Sequence, residues 1–113
     1  MKIKHEFLER LPNPLEAETL YISIPYNLAA HLCFCGCGRK VITPINPTDW
    51  SIEYDGETVS LYPSIGSWNL PCQSHYYITR SEVEWLPVWS PARIERGRRF
   101  DKYEKKLYFG KKD

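Results

Sequence analysis

Two sets of residues in this sequence could do chemistry. The first is His31-Leu32-Cys33-Phe34-Cys35-Gly36-Cys37-Gly38, with three cysteines at alternate positions, together with Cys72 in Leu70-Pro71-Cys72-Gln73-Ser74-His75-Tyr76. Zinc prefers thiolates and imidazoles in a tetrahedral shell. Cys33, Cys35, Cys37 and Cys72 offer four sulfurs, enough to close that shell, and Gly36 and Gly38 permit the tight turn that aims sulfurs inward. The run Cys-x-Cys-x-Cys is not the usual paired Cys-x-x-Cys, so His31 or His75 stays open as a replacement for one thiolate. A closed thiolate shell makes zinc a scaffold, whereas a shell with an open position could activate water.

The second set is Pro63-Ser64-Ile65-Gly66 with Ser74-His75-Tyr76. Serine is a poor nucleophile until a base takes its proton, and histidine is the usual base. Ser74 and His75 are adjacent, so in a strand they point to opposite faces. Ser64 is the better partner. It follows a strand, Gly66 permits the close geometry of an oxyanion hole, and the loop from Gly66 to Pro71 is long enough to return Ser64 to His75. A carboxylate to orient the ring would complete the triad logic; Asp49 and Glu53 are the candidates, and nothing in the sequence selects between them. The competing explanations are ordinary: loop serines usually satisfy backbone groups or solvent, and a lone histidine is commonly a surface, buried or metal-bound residue.

These residues must be positioned by a small fold. At 113 residues, with four Trp and eight Tyr, the chain is expected to form one domain that gains from a metal clip. No stretch reaches the roughly 20 apolar residues of a membrane span, and the first residues lack a signal-peptide core. The expectation is a cytoplasmic protein, where clustered thiols point to metal or catalysis rather than disulfides. From Ala92 to Asp113 there are nine Lys/Arg against four Asp/Glu, a net of +5, while the rest of the chain carries −4. A basic tail could touch nucleic acid or an acidic protein, and the bland alternative is a solvated terminal helix or a frayed end; the acidic core argues against a nucleic-acid module.

Thr19–Ile24 reads as a strand closed by Pro25, and Asn27 is expected to cap a helical turn through Leu28, Ala29 and Ala30. Lys40–Ile45 reads as a strand leaving the cysteines. Trp50–Tyr54 and Thr58–Tyr62 alternate on either side of Asp55-Gly56, a strong hairpin signal. The segment Pro63–Pro71 is expected to be irregular. His75–Ile78 and Val83–Leu86 read as two further strands, and the basic segment after Pro91 as helical. Phe7, Leu8, Leu11 and Leu15 could dock on the core, though Pro12 and Pro14 forbid a long helix there. The fold class is mainly β, a small antiparallel domain with a structural zinc knuckle and a possible short C-terminal helix. Residues 1–90 form the zinc-supported domain and 91–113 a basic tail.

The blocks His31-Leu32-Cys33 through Cys37-Gly38, Leu61-Tyr62-Pro63-Ser64-Ile65-Gly66 with Trp68, and Pro71-Cys72-Gln73-Ser74-His75-Tyr76 resemble a small bacterial family encoded beside ubiquitin-like proteins and their activating and conjugating enzymes. The likeness runs from about Leu20 to Trp85. It departs at Phe34, where proline is expected, and at Ser67, where asparagine is expected. The first departure could loosen the knuckle; the second adds a rival serine.

The resemblance implies a zinc-supported serine peptidase that processes or deconjugates a ubiquitin-like protein in antiviral defence, with Ser64 and His75 catalytic. The ubiquitin-like protein and its activating and conjugating enzymes would be its partners. Two rivals stay open: a non-catalytic zinc module binding those partners, and a metallopeptidase whose zinc activates water.

Overall fold

Eight short strands in two sheets build this fold. The computed structural model describes residues 1–87 and 89–109, with the backbone alone for Tyr108 and Phe109. Strands β1 (Lys4–Phe7), β2 (Thr19–Ser23), β3 (Leu28–Leu32) and β4 (Lys40–Pro44) form one sheet in that order. Strands β5 (Ser51–Tyr54), β6 (Val59–Gly66), β7 (His75–Thr79) and β8 (Glu82–Trp85) form a second. All pairings are antiparallel except β1 with β2, which is parallel. Helix α1 runs Pro91–Phe109.

The core lies between the sheets. Leu20, Ile22 and Ala29 of the first meet Val59, Leu61, Ile65, Tyr76 and Ile78 of the second. Each fully buried Ile or Leu side chain contributes roughly 1.5–3 kcal/mol. A smaller cluster covers the outer face of the first sheet, where Leu15 packs on Tyr21 and Ala30 with Leu8 and Leu11 alongside. Every residue of β2 is therefore buried. Phe7 stays exposed, against His5 and Tyr54.

Two segments differ from their sequence reading. Leu28–Leu32 is a strand rather than a helical turn. Asn27 adopts a left-handed φ of 52° and its N–H bonds the Ile24 carbonyl at 3.1 Å, so it closes a turn into a hairpin. Pairing with β2 and β4 on both sides outweighs the helix preference of the two alanines. Strand β6 also runs on to Gly66, well into the segment expected to be irregular. From Leu61 to Ile65 it advances four residues while β7 advances two, from Ile78 to Tyr76. The surplus is a bulge around Tyr62, Pro63 and Ser64, which lets proline sit in a strand without a ladder bond.

Helix α1 opens on a capped first turn. Ser90 is its N-cap, accepting through Oγ from the Arg93 N–H at 3.3 Å, and Pro91 opens the first turn. Ile94 is buried at one end, and Lys105 pairs with Asp49 at 3.0 Å farther along. No helix among the described residues is long and apolar enough to cross a membrane.

Candidate active site and cysteine cluster

The bulge of β6 and the first residue of β7 make the polar pair. Ser64 Oγ lies 2.9 Å from His75 Nε2, while His75 Nδ1 lies 3.0 Å from the Pro87 carbonyl oxygen. A carbonyl can only accept, so Nδ1 carries the proton and Nε2 presents its lone pair to the serine hydroxyl. Neither expected carboxylate takes part in this contact. Asp49 is held by Asn46 at 2.8 Å and by Lys105, and Glu53 is exposed on β5 beside Asp55 and Glu84. The orienting group is a backbone oxygen, which has no signature in sequence.

Aromatic rings enclose the pair. His75 is buried, with its ring 4.9 Å from Trp68 and 5.2 Å from Trp89, and the two indoles stack at 5.2 Å. The Arg93 guanidinium covers the outer face of Trp89 at 4.3 Å. Two cavities open on the half-buried Ser64. One of about 380 Å³ is bounded by Trp50, Pro63, Trp68, Trp89, Ile94 and Phe100. The other, about 270 Å³, is bounded by His75, Tyr77, Leu86, Trp89 and Arg93. Helix α1 supplies walls to both, a role that its basic composition did not signal.

Gly66 is there for space rather than for φ. A Cβ on it would lie 2.4 Å from Trp68 Cε2, so the indole can rest on β6 only over a glycine. Gly66→Ala is expected to displace Trp68 from His75 and destabilise the fold by about 1–3 kcal/mol, as overpacking does. Thermal melts test this, and an alanine variant with an unchanged melting temperature would refute it.

The rival serines lie elsewhere. Ser67 is buried, and its Oγ has no partner among the described residues. Ser74 is buried on the side of Cys33 and Cys35, whose thiol pKa values its hydroxyl lowers. The neighbours Ser74 and His75 thus serve opposite sides, one facing the cysteines and the other facing Ser64.

The four cysteines come together as one group, with all sulfurs within 4.8 Å of one another. Cys33 Sγ lies 3.4 Å from Cys35 and 3.8 Å from Cys72, and Cys37 lies 3.9 Å from Cys72. Sulfurs at ~2.3 Å from a tetrahedral zinc would be about 3.8 Å apart. The donors therefore suit a metal. Burial pushes the Cys33 thiol up to about 12. Cys35 goes down to about 6 against its own desolvation, because Ser74 and the Cys37 N–H bond its thiolate. Gly36 and Gly38, at φ of 91° and 79°, make the turn, which the Cys33 N–H closes on the Arg39 carbonyl at 2.7 Å.

Neither histidine joins the cluster. His31 is fully buried, 2.7 Å from the Tyr76 hydroxyl and stacked on Phe34 at 4.4 Å, and burial pulls it down to about 3, so the ring is neutral. Phe34 fills the core beside the knuckle.

Taken together, these features define a small two-sheet β protein with a serine–histidine pair on one side of β7 and a four-cysteine cluster on the other. A family model described as the bacterial ubiquitination-like system serine protease (BubE) matches residues 7–86, most of the chain, and the chain belongs to that family. No curated protein and no solved structure matches it. The matched residues include Ser64, His75 and the four cysteines and stop short of Trp89 and α1.

Proposed function

We propose that this chain is a serine peptidase that processes or deconjugates a bacterial ubiquitin-like protein. The observation that carries the reading is the 2.9 Å contact of Ser64 Oγ with His75 Nε2, in a ring whose Nδ1 is bound to the Pro87 carbonyl. Ser64 attacks the scissile carbonyl carbon as His75 Nε2 takes its proton. The tetrahedral intermediate collapses to an acyl-enzyme, and His75 gives the proton to the departing amine. Water, deprotonated by the same nitrogen, then attacks the ester and frees Ser64.

Register supports one backbone donor for the oxyanion. The Ser67 N–H bonds the Ser74 carbonyl at 2.8 Å, which makes Gly66 and His75 a non-hydrogen-bonded pair. The Gly66 N–H therefore points away from β7, on the strand edge beside the Ser64 cavity, and is the group we assign to the oxyanion. A neutral carbonyl behind His75 fixes the tautomer but stabilises the imidazolium less than a carboxylate would.

Zinc, held by Cys33, Cys35, Cys37 and Cys72, would supply structure, since four thiolates leave no position for a reacting water. This argues against the metallopeptidase. Labelling with a fluorophosphonate separates a peptidase from a pure binding module: Ser64 should carry the adduct, and an unlabelled protein would favour the module. The ubiquitin-like protein and its activating and conjugating enzymes are the proposed partners, in the cytoplasm, where free thiols persist. Antiviral defence is the proposed setting, and phage challenge of cells carrying Ser64→Ala tests it.

We take residues 1–90 as the folding unit and 91–113 as appended to it. Ile94 is the one buried side chain of α1 among the described residues. Truncation after Ser90 should therefore leave a soluble, cooperatively melting protein, yet one with little cleavage, because both cavities lose a wall. An insoluble product would show that α1 belongs to the core.

A further inference from the structure

Helix α1 presents three large apolar side chains to solvent at positions i, i+3 and i+7. Phe100 is 63% exposed, Tyr103 59% and Leu107 46%. In a soluble helix such spacing normally marks the buried face. Here the buried face is a different one. Ile94 is buried, Lys105 reaches Asp49, and Gly97 and Asp101 face the cavity beside Ser64. At 100° per residue, Ile94, Asp101 and Lys105 lie within about 40° of one another, while Tyr103 lies roughly on the opposite side. Pinned at both ends, the helix cannot roll its apolar stripe inward.

The stripe is continuous with the site. Phe100 forms the rim of the 380 Å³ cavity that opens on Ser64. Leu107 lies about 10 Å farther along the axis at 1.5 Å per residue. A scissile segment threaded past Ser64 and out beneath Phe100 would bring whatever is folded behind it against this stripe. The exposed Arg96, Arg99 and Lys106 stand beside it, and the helix as a whole carries seven Lys/Arg against three Asp/Glu.

We propose that the Phe100–Tyr103–Leu107 face of α1 is an exosite for the folded body of the protein substrate, and that it reads an apolar patch with acidic surroundings next to the cleaved segment. The inference rests on the peptidase reading for its choice of occupant. The Ser64 site would recognise the extended segment, and α1 would distinguish a folded ubiquitin-like substrate from any peptide of the same sequence. Exposed aromatic and aliphatic side chains of this kind are the usual anchors of such contacts.

The test uses the full chain and two substrates: a folded bacterial ubiquitin-like precursor, and a peptide of about ten residues spanning its cleavage point. The variant is Tyr103→Gln with Leu107→Gln, which keeps good helix formers at exposed positions. Its KM for the folded precursor should rise about tenfold or more. Its kcat, and its kcat/KM for the peptide, should stay within about twofold of wild type. Binding of the precursor to Ser64→Ala protein, with and without the two further changes, is measured in parallel and should weaken by the same factor.

Equal KM and equal binding in the two proteins would overturn the exosite. Equal losses on peptide and precursor would also overturn it, because the helix would then be acting on the cleft itself. If neither substrate is cleaved but binding still falls in the variant, the interface stands and the peptidase reading fails.

Discussion

Ser64→Ala is expected to lower cleavage of a ubiquitin-like precursor by a factor on the order of 10⁴ or more, as removal of a nucleophile does in serine peptidases. Melting temperature and metal content should stay near wild type. The serine is half-buried in a bulge, and among the described residues its hydroxyl makes one hydrogen bond, to His75. His75→Ala should lose a similar factor, because nucleophile and base act as a unit. It should also cost stability, since the ring is buried against Trp68 and Trp89. Ser67→Ala is the control: its hydroxyl has no partner among the described residues, and activity should be retained. Equal turnover by Ser64→Ala and wild type would end the serine-peptidase reading.

How far this arrangement was legible depended on the range of the interactions behind it. The β5–β6 hairpin was readable because Asp55-Gly56 is a local signal and the residues on either side alternate. Strand β2 was readable from its apolar, aromatic and β-branched residues closed by Pro25, and β7 and β8 as apolar and aromatic runs on either side of a short turn. Leu28–Leu32 was not, because two alanines favour helix in isolation and only β2 and β4, far away in sequence, make them a strand. The four cysteines were legible as a group because three stand at alternate positions and clustered thiols commonly hold a metal.

The polar pair was half legible. Residue type and loop length pointed to Ser64 with His75, but the group on His75 Nδ1 is a backbone carbonyl at Pro87, and any residue type supplies one of those. The share of α1 in the site was hidden for another reason. Its charges advertised a solvated tail, while the docking rests on Ile94, one ion pair to Asp49, and Arg93 stacked on Trp89.

The purified protein should carry about one zinc per chain, and its removal by a chelator should unfold the domain. The cluster joins the two sheets. Cys33, Cys35 and Cys37 sit in the turn between β3 and β4, and Cys72 sits in the loop between β6 and β7. Structural zinc sites bind with about 10–16 kcal/mol at neutral pH, and that free energy is folding free energy. A domain of this size is stable by roughly 5–15 kcal/mol in total. Losing the metal would therefore remove most or all of the margin.

Cys72→Ala should behave like chelation, since it deletes the one ligand that the second sheet contributes. The loop holding it also leads directly into Ser74 and His75, so activity should fall together with the fold. Circular dichroism during chelator titration, with zinc release followed in the same sample, reads both. Loss of cleavage with the β signal and melting transition intact would mean that the metal does chemistry. A zinc-free protein as purified, or a Cys72→Ala variant with an unchanged melting temperature, would remove the metal from the account of this fold.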